Sequence, residues 1–316
     1  MSIRVTTFNL ENLFNRYAFL DKPWNERNYE KTLAAYDVAS IASRAGDLVK
    51  YEISDIQRNN TAHVILDAKP DILAVQEVEN LYTLRIFNRK YLSDYFDRML
   101  LIDGNDPRGI DVGFLVREGF AGEIVNVRTH VDEPSKGKNI SRSASLDGGY
   151  RVAGAIFSRD CLEVDVRYKS QTLTFLVNHF KAQDREKASI ERRKKQAERV
   201  AELVKWNAKE GRLPIVLGDL NVPPTQDGSL DPLLKLKLLK DHFSKETWTH
   251  YYDSERKVSR LDYILPDARL KAKAPEFVRK GLTKKCKQYT GERYPTIGIE
   301  HTEASDHCAV TLHLDV

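Results

Sequence analysis

Six places in the sequence put a chemically capable side chain at or just past the end of an apolar run. They are Asn9 in TTFNLEN, Glu77 in DILAVQEVEN, His179 in FLVNHFKAQ, Asp219 and Asn221 in PIVLGDLNVPP, Asp262 in SRLDYIL, and Asp306–His307 in SDHCAVTLHL. Hard carboxylate oxygens such as those of Glu77 and Asp306 suit Mg²⁺, Mn²⁺ or Ca²⁺ and not zinc. His179 and His307 add acid–base capacity near neutral pH. Asp219 and Asn221 stand two apart, and on an extended segment both face one side, so a carboxylate and an amide address one phosphate or one water. No Walker-type glycine loop and no G-x-S-x-G nucleophile motif is present, which argues against an NTPase and a serine hydrolase. Taken singly each group has a plainer reading. Asn9 would cap a turn, Glu77 would face solvent, His179 would be structural, Gly218-Asp219 would be a turn, and Ser305-Asp306-His307 a loop. All six in one chain favour a catalytic site.

Strand ends position such groups well, because packed sheets bring their termini together and fix each side chain's origin. Apolar runs or alternation predict strands at Ile3–Phe8, Ile72–Gln76, Ile110–Val116, Val152–Phe157, Leu162–Tyr168, Thr172–Asn178, Ile215–Leu217, Leu261–Leu265 and Ala309–Leu314. Continuous apolar runs such as Ile72–Val75 suit strands covered on both faces. Ala197, Val200, Ala201 and Val204 follow helical spacing and predict a helix from about Asp184 to Glu210, ended by Gly211 and Pro214. Its charge run, Arg185 to Lys195, reads as a solvated face before a phosphate-contacting one. A second, broken helix is predicted over Ala34 to Lys69. Pro and Gly occur singly at turns, with no linker, repeat or low-complexity segment, so residues 1–316 read as a single α/β domain with a layered sandwich architecture.

The composition is that of a soluble globular chain: 41% hydrophobic and 30% charged residues among 316, with no apolar run long enough for a membrane helix. The net charge of +4 permits a polyanionic partner without requiring one. Cys161, Cys286 and Cys308 are odd in number and irregularly spaced, so neither a disulfide framework nor a zinc motif is expected. The N-terminus reads as a strand and not as a secretory leader, which places the chain in the cytoplasm, or outside the cell if a leader was removed.

QEVEN, NHFKAQ, GDLN and SDH, in that order between Asn9 and His307, resemble the endonuclease/exonuclease/phosphatase superfamily. That superfamily includes pancreatic-type deoxyribonucleases, abasic-site endonucleases, neutral sphingomyelinases and inositol polyphosphate phosphatases. DPRGIDVGFLVR (Asp106–Arg117) and FSRDCLEV (Phe157–Val164) resemble its bacterial extracellular-nuclease-like branch. The resemblance implies a four-layer α/β sandwich, two mostly antiparallel sheets between helical layers. It implies Glu77 as the main metal ligand, with Asn9 beside it and Asp306 completing the site for Mg²⁺, or else Mn²⁺ or Ca²⁺. Asp219 and Asn221 would handle the attacking water and the scissile phosphate. His307 would take the water's proton or stabilise the phosphorane, oriented by Asp262. His179 matches a second histidine of the deoxyribonuclease-like and sphingomyelinase-like branches, which abasic-site endonucleases lack.

Asp111 is a further candidate: it is expected in a strand beside the one ending at His179, where it would orient that ring, the alternative being an ion pair with Arg108. Arg108, Arg142, Arg159 and Lys181 are candidate phosphate contacts, since Arg offers a bidentate fork to phosphate. The expected partner is a nucleic acid, DNA first and RNA second, read with little sequence specificity because no base-reading module is present. Basic residues mixed with aromatics near Tyr150–Arg159 and Lys284–Tyr294 support it. A sphingomyelinase-like lipid phosphodiesterase or a phosphomonoesterase is the competing class, and an inactive scaffold a third. A lipid enzyme predicts an exposed apolar hairpin; Tyr251-Tyr252 is the place to look, and no stable membrane association is expected. The loops Asn15–Lys50 and Lys271–His301 would set exo- or endonuclease action and carry no readable motif.

Overall fold

The structure, a computed structural model, describes residues 2–13, 17–19, 48–50, 54–106, 108–144, 150–183, 186–224 and 226–316. Its strands run in chain order β1 (Ser2–Leu13), β2 (Tyr17–Phe19), β3 (Leu48–Lys50), β4 (Ile72–Val78), β5 (Phe96–Leu101), β6 (Asp111–Arg117), β7 (Glu123–Arg128), β8 (Ser141–Ala144) and β9 (Tyr150–Ala153). They continue as β10 (Cys161–Tyr168), β11 (Gln171–His179), β12 (Leu213–Asp219), β13 (His250–Tyr252), β14 (Lys257–Ser259), β15 (Asp262–Pro266), β16 (Lys271–Ala272), β17 (Glu276–Val278) and β18 (Ala309–Asp315). The described helices are α1 (Asp55–Ala68), α2 (Leu81–Tyr91), α3 (Lys187–Lys209) and the single turn α4 (Asp231–Leu234).

The larger sheet has the order β16-β18-β1-β4-β6-β5, with β17 also on β18, and only its β1–β4 pair is parallel. The smaller has the order β15-β12-β11-β10-β7, and only β11–β12 is parallel. Each parallel pair spans a helical crossover, α1 for the first and α3 for the second, as parallel neighbours require. The two sheets face each other across an apolar core that includes Val5, Ala74 and Phe114 from one and Val164, Phe175 and Leu217 from the other. The outer face of the larger sheet is covered by α1 and α2 through Ile65, Leu84 and Phe87, and that of the smaller by α3 through Ala197, Val200 and Val204. The result is the four-layer sandwich, with both sheets mostly antiparallel.

Local chemistry explains the helix limits. Ser54 accepts from the Gln57 backbone while Gln57 reaches back to Ser54, a capping box that starts α1. The stripe Val200 and Val204 is fully buried, worth about 1.5–3 kcal/mol for each such side chain. Gly211, at φ +78°, lets the chain leave α3 in a left-handed turn.

Some elements differ from expectation. Of the helix expected over Ala34 to Lys69, Asp55–Ala68 is helical, Leu48–Lys50 is a strand, and residues 34–47 and 51–53 lie outside the described residues. Asp184 and Arg185, expected to open α3, also lie outside them, as does most of the Asn15–Lys50 loop. The strand expected at Val152–Phe157 ends at Ala153, because Gly154 turns the chain at φ +87°. The charge run on α3 is not wholly solvated: Arg193 is buried, donating to the Ala182 carbonyl at 3.1 Å and pairing with Asp227 at 2.9 Å. The three cysteines are buried and unpaired. No described helix is long and apolar enough to cross a membrane.

Candidate active site

Register brings the sequence candidates together before any side chain is considered. His179 pairs with Asp219 at the ends of β11 and β12, and Asp219 pairs with Asp262 where β15 begins. In the facing sheet Asn9 of β1 stands opposite Gln76, so Glu77 follows at the same rim. Asn9 closes the gap between the sheets by donating through Nδ2 to Asp219 Oδ2 at 3.1 Å. His307, just before β18, holds Asp262 Oδ2 through Nδ1 at 2.8 Å. Its Nε2 lies 3.8 Å from both Asp219 Oδ2 and Asp306 Oδ1. His179 Nε2 lies 3.6 Å from Asp219 Oδ2 and 3.8 Å from Glu77 Oε1. Groups up to 298 positions apart in sequence, from Asn9 to His307, thus surround Asp219.

The backbone is bent to do this. Glu77, Asn221 and Glu11 are non-glycine residues at φ +61°, +57° and +47°. Such strained residues persist where surrounding structure over-determines them and collect at functional sites. Near the first and last of these, the β1–β4 and β4–β6 ladders shift register. Asn221 does not face Asp219's side by strand alternation. The chain turns after β12, so the Asn221 backbone N–H donates to Asp219 Oδ1 at 2.8 Å and its Nδ2 to Oδ2 at 3.2 Å. Gly218 is required one residue earlier: at φ +128°, a Cβ would lie 1.9 Å from the Asn178 carbonyl oxygen.

Crowded carboxylates dominate the electrostatics. Burial, aggravated by Asp306, raises the Glu77 carboxyl, and burial with Asp306 and Glu303 raises Glu11 well above its usual range. Burial also lifts Asp219 to about 7, against the pull of His307. Burial alone would lower His307, but Asp262, Asp306 and Asp219 outweigh it and hold the ring well above its ordinary value. His179 is pushed well below, by burial and then by Arg159. The two rings are therefore shifted in opposite directions within one cluster.

The outlying candidates separate. Arg159 is buried beside the cluster, donating to the Phe180 carbonyl at 3.0 Å and pairing with Asp106 at 3.0 Å, and its charge acts on Glu77 and Asp219. Arg108 chelates the same Asp106 through Nε at 3.0 Å and Nη2 at 3.1 Å, and that carboxylate, with a smaller contribution from Glu77, raises its basicity. The Lys181 backbone N–H, two residues past β11, donates to Gln196 of α3 at 3.0 Å. Arg142 is not brought to the cluster: it sits on the β8–β9 hairpin, exposed and paired with Asp132. Asp111 departs from expectation, because β6 belongs to the larger sheet and not beside β11. Its carboxylate accepts from the Gly104 N–H at 2.7 Å, it is not Arg108's partner, and His179 Nδ1 has no hydrogen-bond partner among the described residues.

A family model described as Endonuclease/Exonuclease/phosphatase family matches residues 51–307. The chain belongs to this family. No curated protein matches it significantly. Among solved structures, a family member from Bacteroides thetaiotaomicron is similar over 100% of this chain and 99% of its own, at 18% identity and a TM-score of 0.61. The human nocturnin catalytic domain with a bound sulfate anion is similar over 99% and 94%, at 15% identity and a TM-score of 0.62. A mannosyl-6-phosphatase from the same Bacteroides species is similar over 100% of both chains, at 17% identity and a TM-score of 0.59. At these identities the likeness concerns the fold.

The cluster contains residues that sequence reasoning passed over. Glu11, two positions from Asn9, accepts the Asp306 N–H at 2.9 Å. Ser305 donates to the Asn9 carbonyl at 2.8 Å and accepts from the His307 N–H, tying β1 to the segment before β18. Thr249 Oγ1 accepts from the backbone N–H groups of Leu261 and Asp262. His250 stands 3.3 Å from Asp306 Oδ2. Only the Glu11 and Ser305 contacts had a sequence cue, their closeness to Asn9 and to Asp306–His307. The donor set fits a divalent cation: burial and the charge of Asp306 raise Glu77 and Glu11, and an added positive charge beside the three carboxylates relieves that. His250, Asp306 and His307 also form a cluster able to hold an ion.

Proposed function

We propose that the chain is a divalent-metal-dependent phosphodiesterase that hydrolyses the backbone of a nucleic acid, DNA before RNA. The Asp219 hub carries this reading: one buried carboxylate faced by Asn9, Asn221, His179 and the Asp262-oriented His307. Phosphoester hydrolysis needs a group to receive the water's proton and donors at the developing charge. Asp219 and His307 Nε2 form the proton-handling pair. Asp262 holds His307 Nδ1–H, so Nε2 points inward in a fixed tautomer. Asn9 and Asn221 orient Asp219, and His179 donates to a non-bridging phosphate oxygen. Arg159 and Arg108 supply positive potential at the same rim. Glu77 and Asp306, with Asn9, would hold the metal, which when bound supplies charge neutralisation at the phosphate.

A polymeric substrate is favoured over a membrane lipid by the Tyr251-Tyr252 hairpin, where the sequence suggested insertion. Tyr251 is buried in a small cluster with Leu282 and Cys286, leaving only Tyr252 half exposed. The likeness of Asp106–Arg117 and Phe157–Val164 to extracellular nucleases points the same way. The test sets plasmid nicking beside bis(p-nitrophenyl) phosphate and p-nitrophenyl phosphate, with Mg²⁺, Mn²⁺ or EDTA. Nicking lost in His179→Ala, Asp219→Ala and His307→Ala by a factor on the order of 10²–10⁴ supports the assignment. Near-normal nicking in all three, or cleavage of the monoester alone, refutes it.

A further inference from the structure

The geometry points to a second kind of metal site in this chain. We propose that His250, Asp306 and His307 bind a borderline transition-metal ion such as Zn²⁺, and that its binding switches the phosphodiesterase off. The switching half rests on the function proposed above; the binding half does not.

A ring nitrogen from each histidine and a carboxylate oxygen of Asp306 all lie within 4.8 Å of one another. His250 Nε2 is 3.3 Å from Asp306 Oδ2, His307 Nε2 is 3.8 Å from Oδ1, and the two rings are 4.6 Å apart. Tetrahedral ligands about 2.0–2.1 Å from zinc stand roughly 3.3 Å from each other, so closure needs shifts on the order of 1 Å. Two imidazoles and one carboxylate are a donor set for Zn²⁺, Co²⁺ or Ni²⁺. Mg²⁺ takes oxygen and is served by Glu77, Asn9 and Asp306 instead.

The cluster is held by more than its side chains. The His250 and His307 backbones bridge, Tyr251 N–H donates to the Asp306 carbonyl at 2.9 Å, and Cys308 N–H to that of Thr249 at 2.8 Å. The hairpin strand β13 is thereby laced to the 306–308 segment. Asp262 orients His307 from behind, the carboxylate–histidine arrangement that sharpens a metal ligand. His250 Nδ1 is buried with no hydrogen-bond partner among the described residues, while its Nε2 faces Asp306 Oδ2 at 3.3 Å.

The atoms are shared, and that makes the site a switch. An ion on His307 Nε2 and Asp306 removes the nitrogen that faces Asp219 and one carboxylate of the oxygen set.

The binding test uses metal-stripped protein and Co²⁺, whose visible absorption bands report a nitrogen-containing site without any substrate. The expected result is one equivalent bound, displaced by Zn²⁺, with affinity at least about tenfold weaker in both His250→Ala and His250→Gln. The Gln variant keeps a donor for Asp306 and guards against misfolding, which circular dichroism checks. The activity arm titrates Zn²⁺ at fixed excess Mg²⁺, each protein referred to its own zinc-free rate, and the half-inhibiting concentration should rise at least tenfold in His250→Gln. Absent bands, or equal Co²⁺ affinity in wild type and both variants, overturns the site. Binding that depends on His250 without inhibition overturns the switch. A protein inactive with every metal would refute the function, and the cobalt spectra would still decide the site.

Discussion

Asp262→Asn tests the proposed role of His307 as an acid–base group oriented by its carboxylate partner. Asp262 is fully buried and accepts from His307 Nδ1 at 2.8 Å, while its backbone is pinned by Thr249. The substitution keeps shape and removes a charge about 4 Å from the centre of the imidazole. In an effective dielectric of about 20 that interaction is worth about 4 kcal/mol. At 1.36 kcal/mol per decade this sets a ceiling near 10³ on the rate loss, and the amide oxygen's residual acceptance lowers the expected fall in kcat to about 10²–10³. The assay is initial rate on bis(p-nitrophenyl) phosphate with saturating Mg²⁺, for wild type, Asp262→Asn, His307→Ala and the double variant. Because the two act through one ring, Asp262→Asn should cost less than about threefold once His307 is alanine. A single variant within threefold of wild type, or fully additive losses, would refute the idea that Asp262 acts through His307.

Other expectations follow from the same coordinates. Gly218→Ala must push the Asn178 carbonyl, which sits 1.9 Å from the new Cβ, and should destabilise by roughly 3 kcal/mol or more in urea unfolding, with loss of activity. Burial lowers the His130 ring, but Glu133 and Glu163 outweigh it and raise it to about 9. A raised pKa contributes stability fully below about 6.5, lost as pH rises through about 9. Unfolding free energy should therefore fall by about 2–3 kcal/mol more in wild type than in His130→Gln between pH 6.5 and 9.5. Burial raises Glu163, but His130, Arg128 and Asn207 pull it down to about 2, so its stabilisation is present above about 4.5 and lost as acid approaches pH 2. EDTA should abolish nicking and excess Mg²⁺ should restore it; activity that survives exhaustive chelation would contradict the carboxylate cluster's assigned role.

Much of this molecule is legible in one dimension. Hydrophobic period and strand-end polar residues yield most of the sheet strands, α3, and eight side chains that the fold gathers, because alternation and apolar runs reflect burial directly. Arg159 also reaches the rim, since it lies close in sequence to the start of β10. The failures share a cause. Asp111 lies between β4 and β5 and not beside the strand that ends at His179, because a strand's neighbours depend on crossover connections and not on its own residues. Arg142 shows the same weakness: nothing local says which way a short hairpin carries its charge.

Residue chemistry by itself determined that carboxylates, amides and imidazoles end the strands, and that the core is a layered α/β one. Tertiary structure alone decided which of them meet. Register placed His179, Asp219 and Asp262 side by side, and the left-handed turn at Asn221 aimed an amide where alternation would not. His250 is the clearest case. Nothing about a histidine between Thr249 and Tyr251 distinguishes it, and it becomes a metal-capable group only because a β13 hairpin is hydrogen-bonded against Asp306 and His307. Long-range contacts of that kind are set by the summed packing of the whole sandwich, which no short window of sequence encodes.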